Sequence, residues 1–207
     1  MIDLFTGIVE EVGTIKAMSY TSEHAIEVTI EAEKVLTDVS IGDSIAVNGI
    51  CLTVTSFTER TFQVDVMPET VKVTSLNEVK EGSIVNLERS LLPTDRFGGH
   101  FVTGHVDGIG EIVKKERDEN AVYFYLHVPK TLMRYFILKG SIAVDGISLT
   151  IFGVDETNNI VNISIIPHTM DVTNLGKKTV GDIVNIECDM LAKHVHHYLA
   201  HVTENRF

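Results

Sequence analysis

A chain that repeats itself at a long, fixed interval is restricted to folds that can be built twice. The segment from Ser44 to Val54, SIAVNGICLTV, returns as Ser141 to Ile151, SIAVDGISLTI, 97 positions later with 8 of 11 residues identical. At the same offset Thr6-Gly7-Ile8-Val9-Glu10 is answered by Thr103-Gly104-His105-Val106-Asp107. Farther on the offset becomes 99: Pro68-Glu69-Thr70 matches Pro167-His168-Thr169, and Gly82 to Glu88 matches Gly181 to Glu187. A period near 97 residues is too long for a solenoid unit and suits a small domain, so two copies of one fold in tandem are predicted. A second copy that keeps the frame of the first is built to bind a relative of whatever the first binds.

The charge narrows the partners. The chain of 207 residues carries a formal charge of -12 with no compensating Lys/Arg stripe, which opposes a nucleic-acid backbone and an anionic membrane surface alike. No run approaches the roughly 20 apolar residues of a membrane span, and the opening Met1-Ile2-Asp3-Leu4-Phe5 has no basic segment before an apolar one. Cytoplasmic placement is expected. Two cysteines, Cys51 and Cys188, do not occupy matching places in the repeat and make no disulfide framework, so reduced thiols are expected.

Strand periodicity dominates both halves. Ile26, Val28 and Ile30 alternate with Glu27, Thr29 and Glu31, and Val122, Phe124, Leu126 and Val128 alternate with Tyr123, Tyr125 and His127. Asn48-Gly49 and Asp145-Gly146, each flanked by apolar runs, call for hairpins with type I′ turns, in which both central residues take positive φ. Residues 34–39 and 129–136 are predicted as one short helix per copy, the second opened by Pro129. About six strands per copy, joined without helical crossovers, predict an all-β fold of two small closed antiparallel barrels of Greek-key type. The expected domains are residues 1–97, 98–189 and a C-terminal segment, 190–207.

Arg96-Phe97-Gly98-Gly99-His100 reads as the link between the copies. Its two glycines let the chain turn freely, and a phosphate loop is rejected because no Lys-Ser/Thr follows and no helix opens. Beyond Asp189 the pattern changes: Leu191, Val195, Tyr198 and Val202 are spaced 4, 3 and 4 apart, one apolar seam on a helix of about four turns. That seam could lie on the second barrel or pack against copies of itself. His194, His196, His197 and His201 lie on the same helix, but no Glu follows His197 as in a protease zinc helix, and they are read as a solvated face with no metal.

Several of these segments, in order, resemble the signatures of the α-chain type of riboflavin synthase, the lumazine-binding tandem-barrel family. They are Phe5-Thr6-Gly7-Ile8-Val9-Glu10, the run Asn48 to Val54, Met67-Pro68-Glu69-Thr70, the run Gly98 to Gly108, Lys139-Gly140-Ser141, Asp145 to Thr150, and Ile166-Pro167-His168-Thr169. The resemblance spans about residues 4 to 190. It implies a homotrimer joined by the C-terminal helices, with each site between the first barrel of one chain and the second of a neighbour. It also implies a dismutation in which one 6,7-dimethyl-8-ribityllumazine gives a four-carbon unit to another, yielding riboflavin and 5-amino-6-ribitylaminouracil. No cofactor or metal is implied; association with lumazine synthase is left open. One departure is the start: the family usually begins Met-Phe-Thr-Gly, whereas Met1-Ile2-Asp3 precede Leu4 here.

The copies differ at Cys51 against Ser148, Ile8 against His105 and Glu69 against His168, and such differences suit a donor and an acceptor held in like frames. His105, with an ordinary pKa near 6.5, is the first choice to take a proton from the C7 methyl of the substrate; without the resemblance it reads as a structural histidine at a strand start. Cys51 and Ser148 are candidates to add to C7 of the acceptor or direct water onto it, against a plain packing role, and neither has an adjacent base in sequence. Thr53 and Thr150, two residues on, share their strand faces, which predicts one pocket wall. Asp189 could orient or deprotonate one of these groups, or only cap the helix.

The remaining contacts follow from the resemblance. In the first copy they are Ser44, Leu52, Asp65, Val66, Met67, Pro68, Glu69 and Thr70; in the second, Lys139, Leu149, Ser164, Ile165, Ile166, Pro167, His168 and Thr169. Gly7-Ile8-Val9 and Gly104-His105-Val106 would offer backbone groups, and Thr70 and Thr169 could instead close the turns after their prolines. Two other classes are weighed. A non-catalytic lumazine or flavin carrier would share the barrels, but Cys51, His105 and Ser148 together argue against it. A flavin-dependent reductase would need a nicotinamide domain of alternating strands and helices, and none is legible.

Overall fold

The computed structural model describes residues 4–22 and 25–204; the unusual Met1-Ile2-Asp3 start lies outside them. The first copy forms β1 (Glu11–Ser22), β2 (Ala25–Glu31), β3 (Ser44–Val47), β4 (Ile50–Phe57), β5 (Thr61–Val66) and β6 (Ile84–Arg89). The second forms β7 (Gly108–Asp118), β8 (Ala121–His127), β9 (Ser141–Val144), β10 (Ile147–Asp155), β11 (Ile160–Ile165) and β12 (Ile183–Cys188). Each set closes into a six-stranded antiparallel barrel, in the orders β1-β2-β5-β4-β3-β6 and β7-β8-β11-β10-β9-β12. In both, the second strand skips the next hairpin to pair with the fifth, a Greek-key connection.

The alternation read from the sequence is the alternation of burial. Ile26, Val28 and Ile30 point into the first core with Phe62, Val64, Leu87 and Ile45, while Phe124, Leu126, Ile142, Ile151 and Ile163 fill the second. Val47 pairs with Ile50 and Val144 with Ile147, leaving two-residue turns in which Asn48 and Asp145 take φ 46 and Gly49 and Gly146 take φ 76 and 78. These are the predicted type I′ hairpins. Their tips abut: a Cβ placed on Gly49 would stand 2.6 Å from the backbone nitrogen of Gly146.

Beneath the tips a buried polar lattice crosses between the barrels. Asn86 Nδ2 donates to the Asp145 carbonyl at 2.9 Å, and its counterpart Asn185 donates to the Asn48 carbonyl at 2.8 Å. Asn174 Nδ2 donates to both Asn48 Oδ1 and an Asp145 carboxylate oxygen, at 3.0 and 2.8 Å. Burial pushes the Asp145 carboxyl upward in pKa, and Lys178 at 3.4 Å opposes that push. On the other side of the junction, Phe5, Ala46, Val102 and Ala143 form a small apolar cluster.

The helices differ from expectation in kind and number. Residues 34–39 and 129–136 contain 3-10 turns, Lys34–Leu36 and Lys130–Tyr135, rather than α-helices; the spans are too short to repay nucleation of a regular helix. Instead α1 (Pro68–Val73) and α2 (Pro167–Val172) form where a turn was read, each started by a proline whose fixed φ suits the first helical position. Thr70 and Thr169 lie inside them, their carbonyls accepting from the hydroxyls of Thr74 and Thr173 at 2.6 Å. The C-terminal helix, α3 (Met190–Glu204), has the predicted length, and Leu191, Val195 and Tyr198 of its seam are exposed. It meets its own barrel through His196, whose ring packs edge-on to Tyr135 at 5.3 Å, and through Lys193, whose Nζ lies 2.9 Å from an Asp107 carboxylate oxygen.

Candidate active site

The two leading segments change places. Phe5 and Val102 pair as an antiparallel bridge, after which each segment runs onto the barrel of the other copy. The Gly7 carbonyl accepts from Ser148 N at 2.8 Å on β10, and the Gly104 carbonyl accepts from Cys51 N at 2.9 Å on β4. Val9 accordingly packs against the second core and Val106 against the first. Sequence register sets Ile8 beside His105; space sets Ile8 with Ser148's barrel and His105 with Cys51's. Both glycines have positive φ, +77 and +75, and lie so close that a Cβ would fall 2.6 Å from Ser148 Cβ or 2.5 Å from Cys51 Cβ.

The link between the copies carries a group the sequence did not single out. His100 is buried, with Nδ1 2.7 Å from Ser148 Oγ. Its backbone N–H donates to the Thr6 carbonyl at 3.1 Å, which fixes the base of the side chain. Burial lowers the pKa of His100, with the charge of Asp189 acting in the opposite direction. A neutral imidazole with a lone pair available to a serine hydroxyl is the arrangement a general base requires. His100 Nε2 is buried without a hydrogen-bond partner among the described residues. A histidine 48 positions before Ser148 gives no periodic signal; its one legible mark was the Gly98-Gly99 pair that lets the chain turn inward.

Asp189 caps α3, its side chain accepting from Leu191 N at 2.8 Å and its carbonyl from Lys193 N at 3.1 Å. Its charge also acts on His100, opposing the effect of burial there. His105 is exposed and Cys51 half-buried. On β4, Ile50, Leu52 and Val54 fill the barrel, which turns Cys51 and Thr53 outward; on β10, Ile147 and Ile151 do the same for Ser148 and Thr150. The expected single wall is therefore two walls, one on each barrel.

On the first barrel Ser44 stands opposite Thr53 in the β3–β4 register, Asp65, Met67 and Glu69 are exposed, and Pro68 and Thr70 are half-buried. On the second barrel Ser164 and Thr169 are half-buried and Ile166, Pro167 and His168 exposed, with Lys139 exposed at φ 65 in the turn before β9. Leu52, Val66 and Ile165 point into the cores, and Leu149 packs partly against the second, so any part they take in an outward site is through the backbone. Two clefts between the barrels, of about 460 and 480 Å³, are lined by none of Cys51, His100, His105 or Ser148. In the single chain Cys51 and Ser148 are half-buried, and Thr53, His105 and Thr150 are exposed. Among the described residues no three His, Cys, Asp or Glu side chains converge as metal ligands, and no described helix is long and apolar enough to cross a membrane.

The lumazine binding domain family matches this chain twice, over residues 6–90 and 103–189. The fold is also that of LumP, solved in complexes with 6,7-dimethyl-8-(1'-D-ribityl) lumazine and with riboflavin; the first has a TM-score of 0.79 and 27% identity, covering 89% of this chain and 98% of that one. Two barrels, each with an outward strand face crossed by the other copy's leading segment, thus define a tandem lumazine-binding-domain protein. Riboflavin synthase from Bacillus subtilis is 56% identical over 203 residues, 98% of this chain and 93% of that protein. Riboflavin synthase from Actinobacillus pleuropneumoniae is 52% identical over 196 residues, 95% and 90% of the two chains. The chain belongs to the riboflavin synthase family.

Proposed function

We propose that the protein catalyses the riboflavin synthase reaction, moving a four-carbon unit between two molecules of 6,7-dimethyl-8-ribityllumazine to give riboflavin and 5-amino-6-ribitylaminouracil. The two products together contain the atoms of the two substrates, so the transfer is balanced without an external oxidant. The observation that carries the reading is a duplicated frame with unlike chemistry: a part-buried His100–Ser148 pair at 2.7 Å on one barrel, and on the other exposed His105, which follows the Gly104 carbonyl that accepts from Cys51 N.

At the second barrel His100 accepts the Ser148 proton as the hydroxyl, or a water it directs, adds to C7 of the acceptor; Asp189 steadies the imidazolium that results. At the first barrel His105 removes a C7 methyl proton from the donor, whose anion spreads into the heterocycle, and Cys51 lies against the same ring. Neither pair contributes unless the two substrates meet. Holding both in opposed orientation can supply roughly 7–11 kcal/mol of the barrier.

Thr53, His105 and Thr150 are exposed in one chain and so is the α3 seam, which supports assembly of three chains through α3, setting a first barrel against a neighbour's second. In such a trimer the protein works as a four-carbon transferase, each site formed between two subunits.

Incubation with 6,7-dimethyl-8-ribityllumazine tests the activity: one riboflavin should appear for every two substrates consumed. The likeness to LumP favours a second reading, a carrier that binds and does not convert. Stable binding with no riboflavin formed would establish the carrier and defeat the synthase.

A further inference from the structure

Two buried carboxylates take no part in the chemistry above, and they hold the crossing segments. Glu88, on β6, accepts from Thr6 N at 2.8 Å, Thr6 Oγ1 at 2.9 Å and Gly7 N at 3.1 Å. Glu187, on β12, accepts from Thr103 N at 2.7 Å, Thr103 Oγ1 at 2.8 Å and Gly104 N at 2.9 Å. Both side chains are at least nine-tenths buried. A buried charge is costly unless fully hydrogen-bonded, and three donors converge here on a group that, once ionised, only accepts.

We infer that Glu88 and Glu187 are positioning residues that act across the barrel junction, Glu88 fixing the His100–Ser148 pair of the second barrel and Glu187 fixing the Gly104–His105 segment on the Cys51 strand of the first. The path is one residue long. Gly7 gives its N–H to Glu88 and its carbonyl to Ser148 N, and Gly104 gives its N–H to Glu187 and its carbonyl to Cys51 N. Glu88 has a second route, because the carbonyl of Thr6, the residue it grips twice, accepts from His100 N. The glycines press too closely on the site strands for the segment to shift without moving them. A carboxylate is required because glutamine would turn an N–H donor toward one of these amides. Each barrel therefore orders the site of the other, and the two half-sites are set by independent clamps.

The assignment of roles rests on the synthase reading, but the clamps are tested without it. Cys51 is half-buried and Cys188 fully buried, so the rate of iodoacetamide labelling at Cys51, read by peptide mass spectrometry, reports the seating of the Gly104 segment. Glu187→Gln should raise that rate about tenfold, the scale of one lost charge-assisted hydrogen bond, while Glu88→Gln leaves it at the wild-type value. The NMR titration of His100 should shift in Glu88→Gln and stay unchanged in Glu187→Gln. Thr103→Val, which removes one donor and keeps the carboxylate, should raise Cys51 labelling by about threefold should Glu187→Gln fold poorly. Equal effects of both glutamine variants on both reporters, or wild-type Cys51 labelling in Glu187→Gln and Thr103→Val, would overturn the inference. Absence of riboflavin formation in the wild type would instead sink the synthase reading and leave these measurements decisive.

Discussion

Replacing Gly104 by alanine should injure the protein in a way that a nearby control can dissect. Gly104 has φ +75, and an added Cβ would stand 2.5 Å from Cys51 Cβ and 2.7 Å from Cys51 N. An L-residue in that left-handed conformation costs about 1–2 kcal/mol. Forcing a methyl against strand β4 adds overpacking of about 1–3 kcal/mol, and the 2.9 Å bond from Cys51 N to the Gly104 carbonyl is the first to lengthen. Together these predict a loss of about 2–5 kcal/mol. Gly82 has φ +85 with nothing within 4 Å of the added carbon, so Gly82→Ala pays the backbone cost alone. Urea unfolding of both variants should separate them by about 1–3 kcal/mol, and for a chain of this size each kcal/mol moves Tm by about 2–4 °C. Riboflavin formation should fall in Gly104→Ala and persist in Gly82→Ala, since only the first displaces His105. Equal destabilisation by the two substitutions would show that the segment is not pressed onto β4, and the crossed arrangement would be wrong.

His100→Gln and Ser148→Ala should each reduce kcat by about 10²–10⁴, with lumazine affinity by fluorescence titration held within a few-fold; the double variant should be little worse than either, because the pair acts as one unit. Burial pushes Glu88 up to about 7 from its ordinary 4.5. The folded chain thus keeps a proton that the unfolded chain has lost, and the contribution of Glu88 to stability is greatest below pH 4.5, falls between pH 4.5 and 7 by roughly 3 kcal/mol, and is level above. Glu187 and Asp145, also raised, act in the same direction, and denaturant midpoints across that range should show a shallower slope in Glu88→Gln. Lys178→Met leaves the fully buried Asp145 carboxylate without its cation and should cost about 3–5 kcal/mol; adding Asp145→Asn, the residue type at the equivalent Asn48, should restore part of it.

What is local and what is repeated could be read directly from the order of residues. Alternation along Ile26–Ile30 and Phe124–Val128 fixed which side chains enter a core; Asn48-Gly49 and Asp145-Gly146 fixed two hairpins, since few residue pairs take positive φ twice; and the 97-residue echo fixed two barrels. The seam of α3 was equally plain. Only the tertiary structure decided that Gly7 lies on Ser148 and Gly104 on Cys51, that His100 reaches a serine 48 residues away, and that Glu88 and Glu187 are buried clamps rather than outward-facing strand residues. Periodicity records whether a side chain faces in or out of its own sheet, and it carries no term for which of two like barrels a segment will join. With two copies of one frame, either pairing satisfies the local pattern. The choice falls to contacts made once the barrels abut: the Phe5–Val102 bridge, the touching glycine tips and the carboxylates waiting for two threonines.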